Sequence, residues 1–197
     1  PGVGRFRAAV LPQPRGWDLI LRPVSGRLPP LEDLGLPAVV QQLAALRGGL
    51  LLCAGPAGSG KTTTLAALVQ HLVQRRGLRV LCIEDPIEHH LRGALQRQVG
   101  LHSHGFARAL KTAQAGDFDV VALSAIPDAP TLRQALELAL SGCLVLAGVC
   151  AGGAQRALEQ LLELPTPAHR AVLRGLLAQA LGGIIAQRLV RQAEGRG

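Results

Sequence analysis

The sequence predicts a doubly wound α/β domain with a mainly parallel β-sheet. Segments with helical periodicity alternate with short aliphatic runs, and the runs are apolar almost throughout. Such runs are typical of parallel strands that helices cover on both faces. A sheet of this type binds ligands at the carboxyl ends of its strands. The expected strands are Gly49–Ala54, Arg79–Ile83, Phe118–Leu123 and Cys143–Val149, and the expected helices lie near Thr62–Arg75, Phe106–Gln114, Thr131–Leu140, Gln155–Leu162 and after Pro167.

Composition limits the class of protein. The 197 residues are 48% hydrophobic and 17% charged, which excludes a disordered chain and allows a real core. Aromatic residues make up only 2%, so the core is aliphatic, and modules that stack bases on exposed rings are poor candidates. The sequence shows no apolar run long enough to span a membrane and no signal peptide. It contains no methionine, from which we expect a processed or truncated piece of a longer chain.

The net charge is +8, and nearly all of the positive charge is arginine. A basic surface can contact nucleic acid, anionic lipid or a phosphorylated ligand, but these arginines are scattered, which favours a dispersed, solvated set. No cysteine pair or histidine pair has the spacing of a zinc site. We therefore interpret the cysteines as small buried hydrophobic residues in a reducing compartment, and the histidines as loop residues. They are Cys53, Cys82, Cys143 and Cys150, and His89, His90, His102 and His104.

The first thirty residues differ from the rest of the chain. Arg5–Val10 and Trp17–Arg22 are short β-type runs separated by prolines and a glycine, which predicts a hairpin. Gly26–Pro30 is typical of a linker. We expect residues 1–30 to be the end of a small N-terminal domain with its linker, and residues 31–197 to form the α/β domain.

The strongest motif is Gly55-Pro56-Ala57-Gly58-Ser59-Gly60-Lys61-Thr62, which fits the phosphate-binding loop GxxxxGK[ST] between a buried strand and a helix. Its glycines let backbone N–H groups surround phosphates, and the following helix points its positive end at the same anion. Lys61 would contact the β- and γ-phosphates, while the Thr62 hydroxyl would ligate Mg²⁺. Thr63 adds a hydroxyl to the same helical turn. The motif predicts nucleotide binding.

Acidic residues follow the next strand. Glu84, Asp85 and Glu88 surround Pro86 directly after Arg79–Ile83. These carboxylates could accept a proton from an attacking water or hold hydrated Mg²⁺; alternatively, they belong to a polar loop that caps a helix.

The strand Phe118–Leu123 lacks an acidic residue at its far end. A phosphoryl-transfer site usually has a carboxylate there to ligate Mg²⁺ or orient water, but here Ser124 and Ala125 follow. Ala125 cannot perform either task, so part of the hydrolytic machinery is missing.

Taken together, these residues resemble the type IV pilus retraction ATPases (the PilT branch) of the type II and type IV pilus secretion ATPases. The specific part of the resemblance is Ile83-Glu84-Asp85-Pro86-Ile87-Glu88. The chain also resembles this branch at Gly55–Thr62, Gln98–Gly100, Phe106–Leu110, Arg5–Arg7, Leu19–Arg22, Leu31–Leu36 and Ile184–Leu189.

The resemblance implies a RecA-like P-loop NTPase core preceded by a remnant of a small α+β domain. It also implies a cytoplasmic, Mg²⁺-dependent hexameric ATPase that binds ATP and works on inner-membrane platform proteins at the pilus base. Glu84 and Glu88 would be the catalytic carboxylates, with Glu84 activating water. Arg7 and Arg22 would reach the nucleotide of a neighbouring subunit.

The chain departs from the family pattern in two motifs. Where the family has Gly-Glu followed by an Arg, this chain has Ser124-Ala125 and then Pro127, and Cys150 replaces a nucleotide-sensing histidine. Three hypotheses therefore remain. The chain is a slow motor ATPase, an ATP-binding accessory subunit that does not hydrolyse ATP, or a basic nucleic-acid motor of the same core fold. The third is the weakest, because aromatic residues and a continuous basic stripe are lacking, and no specific nucleic acid is expected.

Overall fold

A computed structural model describes residues 4–24 and 27–190. Two antiparallel strands, β1 (Arg5–Gln13) and β2 (Gly16–Val24), form a hairpin. A six-stranded parallel sheet has the order β5-β4-β6-β7-β3-β8. Its strands are β3 (Gly49–Gly55), β4 (Val80–Glu84), β5 (Ala94–Gln98), β6 (Val120–Leu123), β7 (Leu144–Cys150) and β8 (Leu181–Ala186). The helices are α1 (Val39–Ala44), α2 (Lys61–Arg76), α3 (Phe106–Ala115), α4 (Ala129–Leu140), α5 (Ala154–Glu163) and α6 (Pro167–Ala180), with a short 3₁₀ helix at Leu31–Leu34.

The doubly wound architecture is confirmed. One core cluster packs residues of α3, α4, α5 and α6 against one face of the sheet, and a second packs α1, α2 and the 3₁₀ helix against the other. The central strands β3, β4, β6 and β7 are buried along almost their whole length. These are the four strands that the apolar runs predict.

The edge strands β5 and β8 were not predicted. The reason is physical: β5 has the sequence Ala-Leu-Gln-Arg-Gln and β8 contains two glycines, and most of their residues are half-buried or exposed. An edge strand pairs on one side only and needs no continuous apolar run. Both edges nevertheless contribute side chains to the candidate site described below.

The N-terminal hairpin has one wholly apolar face. Because side chains alternate along a strand, every second residue of each strand shares that face. Apart from Ala8, Pro12 and Pro23, the residues on this face are large, and each large one is at least 47% exposed. The face consists of Phe6, Ala8, Val10, Pro12, Trp17, Leu19, Leu21 and Pro23. The expected linker follows it; its first residue, Gly26, lies outside the described residues, and 27–30 form no helix or strand.

Local signals set the helix ends. Helix α4 begins after Asp128, whose carboxylate accepts a hydrogen bond of 2.8 Å from the backbone N–H of Thr131. Helix α2 is terminated by Gly77, which directly follows it and adopts a left-handed conformation with φ of 61°. Within residues 4–24 and 27–190, no helix has both the length and the apolar character needed to cross a bilayer.

Candidate functional site

The loop Gly55–Gly60 joins β3 to α2 at the carboxyl edge of the sheet. Gly58 and Gly60 have φ values of 74° and 85°, a region in which residues with a Cβ are strained. A Cβ at Gly55 would collide with Ser59 Oγ and the backbone carbonyl of Gln187. The fixed glycines of the motif are therefore required by this backbone, and the loop has the compact form that lets successive amides surround an anion.

Lys61 is the first residue of α2, and its ammonium group folds back over the loop. Its Nζ atom lies 2.8 Å from the carbonyl oxygens of both Gly55 and Pro56. Thr62 and Thr63 are half-buried in the same turn, while Ala57 and Gly58 are exposed at the tip of the loop. The first turn of α2 contains no acidic residue. The helix dipole and one lysine thus combine at this position without a carboxylate in the same helical turn, which fits a polyphosphate.

Glu84 ends β4 and faces Thr62 across a small cavity. The two residues line a space of about 20 Å³ together with Ser124 and apolar side chains of α2, β4 and β6. Burial raises the pKa of the Glu84 carboxyl above its ordinary value; the hydrogen bond from Gln96 opposes this rise, and the nearby Glu88 charge adds to it. A partly buried carboxyl with a raised pKa is suited to general-base chemistry.

Glu84 and Glu88 lie close enough to interact, because the charge of Glu88 raises the pKa of the Glu84 carboxyl while the Glu88 backbone lowers it. Glu88 is half-buried in the loop after β4, and its carbonyl oxygen accepts a hydrogen bond from the Arg5 guanidinium of the hairpin. Burial lowers the pKa of the adjacent His89, since a charged imidazole would lose water there. The hairpin therefore contacts the loop that follows β4 in the same chain, residues 85–88, which we call the acidic loop.

Arg7 and Arg22 lie on the hairpin, and both residues are exposed. They are direct partners across β1 and β2, so both side chains share one face. Like charges placed opposite each other destabilise a strand pair unless something neutralises them. Their position leaves them available to another molecule.

The residues that follow β6 are Ser124 and Ala125, where a phosphoryl-transfer site usually has a carboxylate. Ser124 Oγ accepts a hydrogen bond of 3.1 Å from the backbone N–H of Asp85, and the Ala125 methyl packs against the core. The edge of the sheet beside Glu84 thus presents a hydroxyl already engaged with the acidic loop.

The prediction that all four cysteines are buried is wrong for Cys150. Cys150 is the last residue of β7, beside Gly55 of the phosphate loop in the strand register, and its side chain is exposed. The helices cover the body of the strand but not its carboxyl end. Burial raises the pKa of Cys53 to about 12 and that of Cys143 to about 11.

Three further acidic residues near the sheet, Asp117, Asp119 and Asp128, make local contacts that support the fold. Asp119 lies at the amino end of β6, where its carboxylate accepts a hydrogen bond of 2.8 Å from the backbone N–H of Arg79. Asp117 forms an ion pair with Arg79 at 3.6 Å, and Asp128 caps α4. In the described part of the chain, no three His, Cys, Asp or Glu side chains are placed to hold a metal ion among themselves.

Two glutamines at the edges of the sheet were not predicted: Gln96 lies in β5, and Gln187 directly follows β8. Gln96 of β5 donates hydrogen bonds to Glu84 Oε1 at 2.8 Å and to the carbonyl oxygen of His89 at 2.7 Å. Gln187, directly after β8, donates to the carbonyl oxygen of Ser59 at 2.6 Å. Gln187 lies in a segment that carried the resemblance, but no motif links either side chain to the loop it holds.

A parallel sheet with a glycine-rich loop between β3 and α2 defines the class: the α/β domain is a RecA-like P-loop NTPase core. The chain matches the sequence profile of the family described as Type II/IV secretion system protein over residues 3–196. The chain therefore belongs to the Type II/IV secretion system protein family.

Individual relatives agree with this assignment. The type IV pilus retraction ATPase PilT of Pseudomonas aeruginosa is 33% identical over 199 residues, which are 99% of this chain and 58% of PilT. The type II secretion system protein E of the same organism is 36% identical over 94% of this chain and 37% of its own length. A crystal structure of the pilus retraction motor PilT with bound ADP matches with a TM-score of 0.88 at 34% identity, covering 98% of this chain and 58% of that one. The chain thus spans less than two thirds of these relatives.

Proposed function

We propose that this chain is the ATP-binding motor part of a type IV pilus retraction ATPase, which couples ATP hydrolysis to pilus disassembly. The observation that carries the proposal is the phosphate loop, with the Lys61 ammonium held 2.8 Å from two loop carbonyls at the start of α2. The short interdomain segment Leu31–Leu36 and the Phe106–Leu110 block resemble the retraction branch. This resemblance favours retraction over extension.

The residues present fit ATP and Mg²⁺. The loop needs its left-handed glycines, its lysine is free of acidic competition within the first turn of α2, and the Thr62 hydroxyl shares a cavity with Glu84. In this proposal, residues Gly55–Thr63 bind the nucleotide and Thr62 ligates the metal. Bound ATP would supply the phosphoryl group that is transferred to water.

The catalytic roles follow from position. Glu84 accepts the proton of the attacking water, because its carboxyl is partly buried beside the loop and its pKa is raised. Glu88 acts with it from the same acidic loop. Arg7 and Arg22 act from a neighbouring subunit, since both are exposed on the hairpin and an arginine supplied in trans stabilises charge in the transition state.

This mechanism requires an assembly. We propose a homo-hexamer in the cytoplasm, peripheral to the inner face of the cell membrane, where it works on pilus or secretion platform proteins. Residues 1–30 would be the end of an N-terminal domain with its linker, and residues 31–197 the motor core.

The decisive experiment measures nucleotide affinity and the steady-state ATPase rate on the same sample. We expect the chain to bind ADP and ATP with Mg²⁺, and Lys61→Ala to weaken binding severely. Lys111→Ala is the matched control, because Lys111 is the only other lysine and is exposed on α3. Absence of binding by the unaltered chain at millimolar nucleotide would refute the proposal.

The second candidate is an ATP-binding accessory subunit with impaired hydrolysis. Two observations favour it: Ala125 offers only a methyl group at the end of β6, and Cys150 offers a thiol at the end of β7. Loss of one electrostatic contributor typically lowers turnover about 10²- to 10³-fold. A large rise in turnover for Ala125→Glu supports a degenerate catalytic site, whereas tight binding with no turnover in either protein supports the accessory role.

A further inference from the structure

We propose that Gln187 is a positioning residue that holds the phosphate loop in its anion-binding conformation. Gln187 follows the last strand of the sheet, far in sequence from the loop. The inference rests on the proposed function in one respect, namely that a nucleotide is the anion. The contacts themselves are made by residues of this chain alone.

Both ends of the Gln187 side-chain amide are engaged. Its Nε2 atom donates to the carbonyl oxygen of Ser59 at 2.6 Å, and its Oε1 atom accepts from Cys53 Sγ at 3.3 Å. The Gln187 backbone N–H donates to the carbonyl oxygen of Ala54 at 2.8 Å, which continues the pairing of β8 with β3. The side chain therefore connects the rigid strand β3 to the loop that follows it.

The bond to Ser59 orients the next amide of the loop. The Ser59 carbonyl and the Gly60 N–H belong to one planar trans peptide, so they point in opposite directions. When Gln187 holds the carbonyl, the Gly60 N–H is turned to the other side of that peptide, away from Gln187, and is ready to donate to an anion. A Cβ on Gly60 would lie 3.1 Å from Gln187 Nε2, so the motif glycine also permits this close approach.

The hydrogen bond from Gln187 to Ser59 also restricts the backbone conformations of the phosphate loop. Glycines populate several backbone conformations, and a loop with glycines at positions 55, 58 and 60 must be ordered before it can bind. A contact that holds the loop in one conformation lowers the cost of that ordering, which is preorganisation. Loss of Gln187 should consequently weaken nucleotide binding without removing any group that touches the nucleotide.

The test compares two variants of the full chain. Gln187→Glu keeps the shape but replaces the donor with a carboxylate oxygen facing the Ser59 carbonyl, and Gln187→Ala removes the side chain. With a fluorescent ADP analogue and Mg²⁺, we expect about 3- to 10-fold weaker binding for Gln187→Ala and a larger loss for Gln187→Glu. Gln179→Glu is the control, because Gln179 is exposed and its amide bonds only within α6, to Gly175.

A second measurement needs no nucleotide. Hydrogen exchange of the backbone amides at residues 57–60 should be faster in both variants than in the unaltered chain and unchanged in Gln179→Glu. If the unaltered chain ignores ADP while exchange still accelerates in the variants, the proposed function fails and the positioning role stands. If folded variants show unchanged affinity and unchanged exchange, the positioning role is refuted. Should both variants fail to fold, rapid exchange of the Gln187 side-chain amide in the unaltered chain would refute it equally, and slow exchange would support it.

Discussion

Gln96 Nε2 lies 2.8 Å from Glu84 Oε1, so an edge-strand side chain holds the carboxylate that ends the neighbouring strand. Gln96 Nε2 also donates to the carbonyl oxygen of His89. Gln96 Oε1 accepts a hydrogen bond of 2.9 Å from the backbone N–H of Leu91. One glutamine thus connects β5, the end of β4 and the acidic loop between them. Two predictions concern this pair.

Gln96→Leu should lower ATP turnover about 10-fold while nucleotide affinity stays close to normal. A hydrogen bond to a charged group contributes about 1.5–3 kcal/mol, and Gln96 contacts the proposed base rather than the phosphate loop. Because this bond opposes the rise of the Glu84 pKa, its loss raises that pKa further. The acid limb of the pH–rate profile should therefore move to higher pH. Gln114→Leu, an exposed change on α3, is the control; a uniform fall in rate with an unmoved profile would contradict the prediction.

Glu84→Gln should stabilise the fold at neutral pH. Burial raises the pKa of the folded-state carboxyl above its ordinary value of 4.5, so the folded chain favours the protonated form. The stability that Glu84 contributes is present below pH 4.5 and is lost as the pH rises through the folded pKa. Glutamine is neutral and keeps an oxygen for Gln96, so thermal unfolding at pH 7.5 should shift upward by a few degrees, with little change at pH 4. Equal shifts at both pH values would disprove the explanation, and Glu163→Gln at an exposed site of α5 controls for the charge change.

Cys150 should be the thiol that alkylates first. Its side chain is exposed, whereas burial protects Cys53, Cys82 and Cys143 and raises the pKa of each thiol. With N-ethylmaleimide at pH 7.5, mass spectrometry should find one adduct, absent in Cys150→Ser. Since Cys150 is beside Gly55 in the strand register, ADP with Mg²⁺ should slow the reaction. Early modification of Cys53 would show that the loop opens in solution.

Arg7 and Arg22 should act across a subunit boundary. Arg7→Ala or Arg22→Ala should lower turnover about 10³-fold or more if each arginine stabilises the transition state in trans. Mixing Arg7→Ala subunits with Lys61→Ala subunits should restore part of the activity. At some subunit interfaces, the intact Arg7 of a Lys61→Ala subunit then meets the intact phosphate loop of an Arg7→Ala subunit. Arg15→Ala, in the turn of the same hairpin, should keep normal turnover. If mixing restores nothing, the arginines do not act in trans.

The local part of the site could be predicted because its determinants are contiguous. The loop Gly55–Thr62 combines glycines, a lysine and a strand–helix context within a few residues, and the structure shows the left-handed glycines that the motif requires. The central strands were equally predictable, since burial on both faces demands unbroken aliphatic runs.

The rest could not be predicted because it depends on pairing between distant segments. Gln96 meets Glu84 only because β5 pairs with β4, and Gln187 meets Ser59 only because β8 pairs with β3. Edge strands carry a weak periodic signal, so neither pairing was visible in the residues. The exposure of Cys150 has the same origin, since it depends on where the covering helices stop relative to the end of β7.

The amino-acid order alone therefore determined the class of fold, the phosphate loop and the family, because hydrophobic periodicity and backbone-specific glycines act over short distances. The tertiary structure alone decided which side chains support the loop and the acidic residues, and that the two arginines share one exposed face. Those relations arise from strand order and register, which join residues as far apart as Ser59 and Gln187.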